Sequence, residues 1–394
     1  MPEKRHSPGK KILFTGIFVS GSLTLSLLLL LIILEVVLRM TTAPFVTPGY
    51  TRTHFERRYE LRPNFRGRTY EAALSINSYG LRDEERPISG ENQAYRIAVF
   101  GDSVTFGIGV ESEDTFPKLM ERHLNDAYDS EIQVFNFGVP SYNTVNEYHY
   151  FRERYDQFTP HAVIFQFLVG NDTILSNPPG SPKGINRFRG TRMVKDLLRH
   201  LYSYEFLAVR YYRLRYDILF RNLQRQAAPS SDMRKAQEGA DTEEVAAREP
   251  HDEKAQAPAG EVAARMTHDA RLYADEFQGW VEAQYTFGEI AEFCREKQIP
   301  VIFAVLANNV ELAHSLEEDQ YYPLITKIQE ALYAQGIDQI LIIDEAFRGY
   351  AGQEPLLWVK PDDAHFSVLA HQLAAELLYR YIQEHQLIEA FNDK

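Results

Sequence analysis

The strongest constraint on the fold of this chain is the stretch from Ile12 to Leu34, which contains no charged side chain. A helix of about 20 residues crosses the hydrocarbon core of a bilayer, so this stretch is long enough to span one. A cleaved signal peptide is the alternative. It prefers a shorter apolar core and a small-x-small cleavage site, and Glu35 to Met40 offers neither. The stretch therefore predicts an uncleaved membrane anchor over residues 12–34.

The charges that flank this anchor predict its orientation. Before the anchor, Glu3 is the only acidic residue, whereas four residues are basic: Lys4, Arg5, Lys10 and Lys11. The positive-inside rule therefore leaves residues 1–11 in the cytoplasm and the rest of the chain outside it. Cys294 is the only cysteine, so no intramolecular disulfide can form, which fits a bacterial periplasm better than a eukaryotic extracellular surface. We predict a single-pass protein of the inner (cytoplasmic) membrane with a periplasmic or extracytoplasmic catalytic domain.

Short apolar strands alternate with helical stretches from Tyr95 onward. Such alternation implies a parallel sheet covered by helices on both sides. The predicted strands are Arg96–Phe100, Ile132–Phe137, Ala162–Leu168, Pro300–Leu306 and Gln339–Ile343, and the predicted helices are Thr115–Ala127, Val145–Phe158, Glu276–Lys297, Tyr321–Gln335 and Val368–Glu384. We predict one α/β catalytic domain, formed by residues 91–172 and 273–394 around a five-stranded sheet.

Three other regions have different compositions. Residues 35–90 carry scattered proline, glycine and charge, and predict a tether with irregular or short-strand structure. Residues 173–225 predict a basic, aromatic helical insertion. An ordinary packing helix is the simpler interpretation of 187–225, and contact with anionic lipid headgroups or an acidic ligand is the alternative. Residues 226–272 are rich in Ala, Glu, Gln and Asp and predict a disordered acidic linker.

The net charge of −13 argues against a nucleic-acid partner.

Polar residues follow several of the predicted strands. Ser103 follows the first strand, where active-site residues of parallel sheets tend to lie. A nucleophilic serine needs a general base, and His365 lies past the last strand with Asp362 three residues before it. In a turn, this spacing lets the carboxylate reach Nδ1 while Nε2 faces elsewhere. The simpler interpretation is a polar loop that caps the helix beginning near Val368.

Two further turns offer hydrogen-bond donors. Gly138 follows the second strand and presents a backbone N–H, and Asn171 follows the third and presents a side-chain amide. Each alone is more often structural than functional. Because the carboxyl ends of parallel strands meet at one edge of a sheet, we expect all of these residues to lie together.

The ordered set of motifs resembles the SGNH hydrolases, the GDSL-type esterase and lipase superfamily. The matching blocks are Gly101-Asp102-Ser103 with Gly107, Gly138 near Asn136 and Asn143, Gly170-Asn171-Asp172, and Asp362 to His365. Val104 stands where the family usually has leucine, at a position expected to pack beneath the nucleophile. The resemblance covers roughly half of the chain and omits the anchor, the basic insertion and the acidic linker.

This resemblance implies a flavodoxin-like, three-layer α/β/α fold and a set of roles. Ser103 would attack an ester carbonyl, His365 would take its proton, and Asp362 would hold the histidine tautomer. The backbone N–H groups of Ser103 and Gly138 and the side chain of Asn171 would bind the oxyanion. The resemblance implies no metal and no organic cofactor.

Four functions follow as hypotheses. The first is a membrane-anchored esterase that removes short acyl groups from carbohydrate or cell-envelope material. An O-acyltransferase with the same catalytic residues is the second, because the two reactions differ in how well the site excludes water. A lipase or lysophospholipase is the third, favoured by the anchor and the basic aromatic insertion. A catalytically silent envelope scaffold is the fourth. The sequence does not distinguish acyl chain lengths or oligomeric states.

Overall fold

The computed structural model describes residues 8–41, 46–54, 57–88, 94–174, 198, 200–204, 269–307, 312–360 and 363–388. Most of the predicted basic insertion and of the predicted acidic linker lies outside the described residues, and so does Asp362. The predictions for those two segments stay predictions.

The first element is a long apolar helix, α1, over Pro8–Thr41. Its stretch Ile17–Met40 is long and apolar enough to cross a membrane, and its side chains are mostly exposed, although Leu38 near its end is buried. A signal sequence near an N-terminus has the same properties. The end of α1 contacts a distant part of the chain, because the Glu35 carboxylate accepts hydrogen bonds from the backbone N–H groups of Tyr202 (3.1 Å) and Ser203 (2.9 Å).

A five-stranded sheet forms the centre of the α/β domain, with the strand order β6-β5-β7-β8-β9. All of the pairings are parallel. The strands are β5 (Tyr95–Gly101), β6 (Ile132–Gly138), β7 (Ala162–Leu168), β8 (Val301–Leu306) and β9 (Ile340–Ile342). Every residue of β5 and β6 is buried, which explains why their sequences lack an apolar–polar alternation.

Helices cover both faces of this sheet. They are α2 (Ser103–Phe106), α3 (Phe116–Ala127), α4 (Thr144–Phe158), α5 (Gln278–Lys297), α6 (Tyr322–Tyr333) and α7 (Val368–Glu384). Leu124 of α3 and Leu378 of α7 share one apolar core, whereas Phe151 of α4 and Phe287 of α5 share the other. The predicted three-layer α/β/α architecture with a five-stranded parallel sheet is confirmed.

Along the chain, two antiparallel hairpins follow α1 and precede the first strand of the main sheet. The first pairs β1 (Thr51–His54) with β2 (Arg58–Leu61), and the second pairs β3 (Arg66–Thr69) with β4 (Ala72–Ser75). The described part of the segment predicted as a tether is therefore short-strand structure. Its buried side chains include Leu61, Leu74 and Leu81, which belong to the same core as Phe106.

A third hairpin follows β9. Two short 3-10 helices, Ile343–Tyr350 and Glu354–Leu357, lead into β10 (Trp358–Lys360), which pairs antiparallel with β11 (Asp363–Phe366). His365 therefore lies in a strand of a separate two-stranded sheet, not in a turn that directly follows the last strand of the main sheet. This difference changes which carboxylate can reach its imidazole.

Candidate active site

Ser103 is the first residue of α2, directly after the end of β5. Asp102 caps this short helix, because its Oδ1 accepts the backbone N–H of Val104 at 2.8 Å. The helix ends at Gly107, whose φ of 84° lies in the left-handed region that favours glycine. The sequence around Ser103 therefore folds into a tight strand–helix corner that leaves the serine partly exposed at the carboxyl end of β5.

Gly138 allows this corner to pack against the neighbouring strand. A Cβ on Gly138 would lie 2.2 Å from the backbone N of Phe106 and 2.6 Å from the carbonyl carbon of Thr105. Because both atoms belong to the backbone of α2, no side-chain rotation could relieve the overlap. The structure thus gives this glycine a packing role that its sequence motif did not predict.

His365 lies within hydrogen-bond distance of the serine. The distance from Ser103 Oγ to His365 Nε2 is 2.8 Å. On the other side of the imidazole, Nδ1 contacts Oδ1 of Asp363. A carboxylate on Nδ1 favours the tautomer with its proton on that nitrogen, which leaves the Nε2 lone pair to accept the Ser103 hydroxyl. The structure therefore brings together a serine, a histidine and an aspartate in the order that nucleophilic catalysis requires.

The aspartate in this arrangement is Asp363 rather than Asp362. The motif spacing in a turn and the family resemblance predict Asp362 for this role, and that residue lies outside the described part of the chain. In a strand, side chains two residues apart lie on the same face. Since Asp363 and His365 both belong to β11, the carboxylate at i−2 meets the imidazole.

The charge of Asp363 is strongly stabilised. Burial raises the pKa of this carboxyl, but hydrogen bonding and the charge of His365, together with the hydroxyl of Tyr70, outweigh burial and lower the pKa to about 2. Asp363 is consequently an anion at neutral pH. A fixed anion at this position favours the imidazolium that forms when His365 takes a proton.

The donors predicted for an oxyanion already have internal partners. Asn171 Nδ2 donates to Asp102 Oδ2 and to the carbonyl oxygen of Tyr142, both at 2.8 Å. The backbone N–H of Gly138 donates to Asn136 Oδ1 at 2.9 Å. By contrast, Ser103 N begins a helix, and the first N–H groups of a helix have no acceptor within it.

Asp102 is a second, differently perturbed carboxyl at the same corner. It is fully buried, and burial raises its pKa to about 6, although hydrogen bonds from Val104 and Asn171 and the charge of His365 oppose the rise. Its two oxygens have separate tasks, since Oδ1 caps α2 and Oδ2 accepts from Asn171. Asp102 therefore links α2, the helix that begins at Ser103, to the turn after β7.

Arg82 is a structural residue that sequence analysis missed. It is fully buried, and its guanidinium donates to the carbonyl oxygens of Phe106 (2.8 Å), Gly107 and Val110. These carbonyls lie at the end of α2 and in the loop beyond it, where a helix leaves acceptors unpaired. An arginine between Leu81 and Asp83 in a polar stretch resembles any exposed arginine, so the sequence carries no signal for this role.

One group of side chains has the geometry of a metal site. The ligand atoms of His54, Glu60 and Glu153 lie within 4.8 Å of one another. The guanidinium of Arg57 pairs with both carboxylates, at 3.2 Å from Glu60 and 3.0 Å from Glu153. A guanidinium of the protein thus already pairs with both carboxylates, which disfavours a metal ion at this position.

The fold and the site together define a class: an α/β domain with a Ser–His–Asp arrangement at the carboxyl edge of its parallel sheet. No family model and no curated protein matches the chain. Solved structures similar to it include that of TesA, with 11% identity and a TM-score of 0.36 over 73% of this chain and 98% of that one. A lipolytic protein of the G-D-S-L family from Desulfitobacterium hafniense shares 13% identity, with a TM-score of 0.34 over 73% of this chain and 99% of that one.

A third similar structure is an acetylxylan esterase from Geobacillus stearothermophilus, with 12% identity and a TM-score of 0.34 over 75% of this chain and 96% of that one. The family named for the Desulfitobacterium protein is the one that the motifs of this chain resemble. Similarity at this level does not transfer an activity or a substrate to this chain.

Proposed function

We propose that this protein is a serine ester hydrolase that acts through an acyl-enzyme on short-chain, acetyl-type esters of carbohydrate or cell-envelope material. The observation that carries the proposal is the continuous hydrogen-bonded series from Ser103 through His365 to Asp363. An exposed serine needs no such series for stability. Its nucleophilicity, however, depends on an adjacent base held in one tautomer.

The reaction follows from these contacts. Ser103 Oγ attacks the ester carbonyl carbon while His365 Nε2 takes the hydroxyl proton, and Asp363 stabilises the resulting imidazolium. Collapse of the tetrahedral intermediate breaks the bond to the alcohol, which leaves with the proton from Nε2. Water then attacks the acyl-enzyme, with His365 again acting as base, and releases the acid and free Ser103.

The developing oxyanion needs donors close to Ser103. The Ser103 N–H is the first donor in our proposal, because its helix offers it no acceptor. Gly138 and Asn171 complete the set by exchanging a neutral acceptor for the oxyanion, Asn136 Oδ1 in the case of Gly138 and the carbonyl oxygen of Tyr142 in the case of Asn171. A negatively charged oxygen forms stronger hydrogen bonds than a neutral carbonyl or amide oxygen, which favours this exchange.

The membrane anchor is the second part of the proposal. We infer that α1 is retained as an uncleaved span, with residues 1–11 in the cytoplasm and the catalytic domain on the periplasmic side. The contacts of Glu35 with Tyr202 and Ser203 support retention, since they join the end of α1 to a segment far along the chain. Extraction of membranes with alkaline carbonate tests this, because a cleaved, soluble product would be released.

Activity of the full chain in detergent tests the catalytic assignment. We expect turnover of p-nitrophenyl acetate, and we expect Ser103→Ala to lower kcat/KM by about a thousandfold or more without loss of folding. Ser130→Ala, at an exposed serine, is the matched control and should retain full activity. Equal activity of Ser103→Ala and the parent chain would refute the proposal.

The same assay ranks the other hypotheses. A series of esters from acetyl to palmitoyl distinguishes an esterase from a lipase, since a lipase would prefer the long chains. Added oligosaccharide acceptors distinguish hydrolysis from acyl transfer, because acceptor-stimulated release of nitrophenol requires a sugar hydroxyl to resolve the acyl-enzyme.

A further inference from the structure

We propose that Tyr70, at the tip of the β3–β4 hairpin, is a positioning residue of the active site: its hydroxyl fixes the carboxylate of Asp363 for its contact with His365. This inference rests on the proposed function, because it assigns Tyr70 a task in the same Ser–His–Asp series. Tyr70 lies outside the motifs of Ser103, Gly138, Asn171 and His365, in the segment 35–90 that the sequence predicts as a tether with irregular or short-strand structure.

The backbone at Tyr70 is the first observation. Thr69 pairs with Ala72, so Tyr70 and Glu71 form a two-residue hairpin turn. The φ of Tyr70 is 47°, in the left-handed region. Turns of this length favour Gly, Asn or Asp where φ is positive, and other residues cost about 1–2 kcal/mol there. A tyrosine at this position is thus locally unfavourable, and such residues persist where the surrounding structure requires them.

The contacts of the side chain supply that requirement. The Tyr70 hydroxyl donates to Oδ2 of Asp363, while Oδ1 of the same carboxylate faces His365 Nδ1. Each carboxylate oxygen therefore has its own partner, and the carboxylate plane cannot rotate without breaking one of the two bonds. Tyr70 is a donor in this pair, so it also stabilises the ionised form of Asp363.

The tyrosine ring is itself held in place. Lys360 Nζ lies 3.6 Å from the centre of the ring, within the range of a cation–π interaction. On another side, a Cβ at Gly109 would lie 3.1 Å from Cδ2 of Tyr70, so a side chain there would crowd the ring. The neighbouring Thr69 Oγ1 accepts the backbone N–H of Gly109 at 3.1 Å. The hairpin thus contacts both the loop after the nucleophile and the strand of the catalytic aspartate.

Two substitutions test this role. Tyr70→Phe keeps the ring and removes only the hydroxyl. Tyr70→Asn removes the phenol but suits the positive φ, so the hairpin should fold at least as well. For both variants we expect kcat to fall about tenfold, equivalent to about 1.4 kcal/mol, with KM and the urea midpoint close to those of the parent chain.

The pH profile separates positioning from a purely structural role. A loosely held carboxylate stabilises the imidazolium less, so the acid limb of the kcat/KM profile should move to lower pH in both variants. Tyr79→Phe is the matched control. Tyr79 belongs to the same N-terminal segment, and its hydroxyl has no hydrogen-bond partner among the described residues, so its profile should match that of the parent chain.

The outcomes distinguish this inference from the proposed function. If both Tyr70 variants keep the parent kcat and pH profile while Ser103→Ala is inactive, the role of Tyr70 is refuted and the hydrolase proposal stands. If Ser103→Ala is as active as the parent chain, the hydrolase proposal itself fails. A fall in activity that exactly follows a loss of folded protein in both Tyr70 variants would also overturn the positioning role.

Discussion

The two halves of the candidate active site are built in different ways. Ser103 follows a fully buried strand in the middle region of the sheet, and backbone packing against Gly138 holds its helix. His365 and Asp363 lie in a short two-stranded sheet outside the main one, and the tip of another hairpin holds their position through Tyr70. The core of the domain therefore fixes Ser103, whereas side-chain contacts between hairpins fix His365.

This difference suggests that substitutions near Ser103 and substitutions near His365 differ in their effects on stability and on activity. On the nucleophile side, changes should affect folding and activity together, because the same packing supports both. On the base side, changes should affect catalysis with little loss of stability, as expected for Tyr70. Buried Trp280 and Trp358, the only tryptophans, provide a fluorescence signal for urea-induced unfolding of the full chain in detergent.

The largest effect on the nucleophile side should come from Gly138→Ala. The new Cβ would lie 2.2 Å from the backbone N of Phe106, so β6 and α2 must separate. We expect a loss of more than about 3 kcal/mol in the free energy of unfolding, together with loss of activity, measured by urea titration and ester hydrolysis.

Gly349→Ala is the matched control for this experiment. Gly349 lies in the 3-10 helix Ile343–Tyr350, and a Cβ there would meet no heavy atom within 4 Å. Its stability should stay within about 0.5 kcal/mol of the parent chain. Equal stability of both variants would show that the packing of α2 on β6 does not fix the nucleophile.

Arg82→Met should give the next largest effect. The substitution keeps a long side chain but leaves the carbonyls of Phe106, Gly107 and Val110 without their donor. A buried acceptor without a partner costs about 1–3 kcal/mol, so we expect a loss of roughly 2–3 kcal/mol and a lower kcat. Arg122→Met, at an exposed arginine that donates to one carbonyl, should change stability by less than about 0.5 kcal/mol.

The smallest expected effect is a pH dependence of the free energy of unfolding, which arises from a buried histidine between α7 and α3. His371 of α7 accepts the backbone N–H of Phe116 at 3.1 Å, and burial, with the charges of Arg82 and His365, lowers its pKa from 6.5 to about 3. Between those values the unfolded chain binds more protons, so stability is full above pH 6.5 and falls as the pH falls. His371→Asn should remove roughly 1 kcal/mol of the stability difference between about pH 7.5 and about pH 5.5. An unchanged difference in urea titrations would contradict a neutral, buried His371.

The sheet was predictable from sequence because its strands are continuous apolar runs separated by amphipathic helices. The predicted strand Ala162–Leu168 coincides with β7, and the other four predictions overlap the observed strands. The site was predictable only in part. Ser103 and His365 are brought together as predicted, but the carboxylate is that of Asp363, because a short strand replaced the assumed turn.

The supporting residues were not predictable for a different reason. Arg82 and Tyr70 act through long-range contacts with the end of α2 and with β11, and neither contact leaves a local pattern in the sequence. A polar, proline-containing segment has the same composition whether it is a loose tether or two packed hairpins. Only its burial distinguishes the two, as Leu61, Leu74 and Leu81 show.

The spacing of the site along the chain has a consequence for biosynthesis. Ser103 and His365 are 262 positions apart, and Tyr70 and Asp363 are 293 apart. A ribosome synthesises Ser103 long before His365, so a chain that is still emerging carries the serine without its histidine. Under the proposed function, any chain truncated before β11 is therefore expected to be inert toward esters wherever it accumulates.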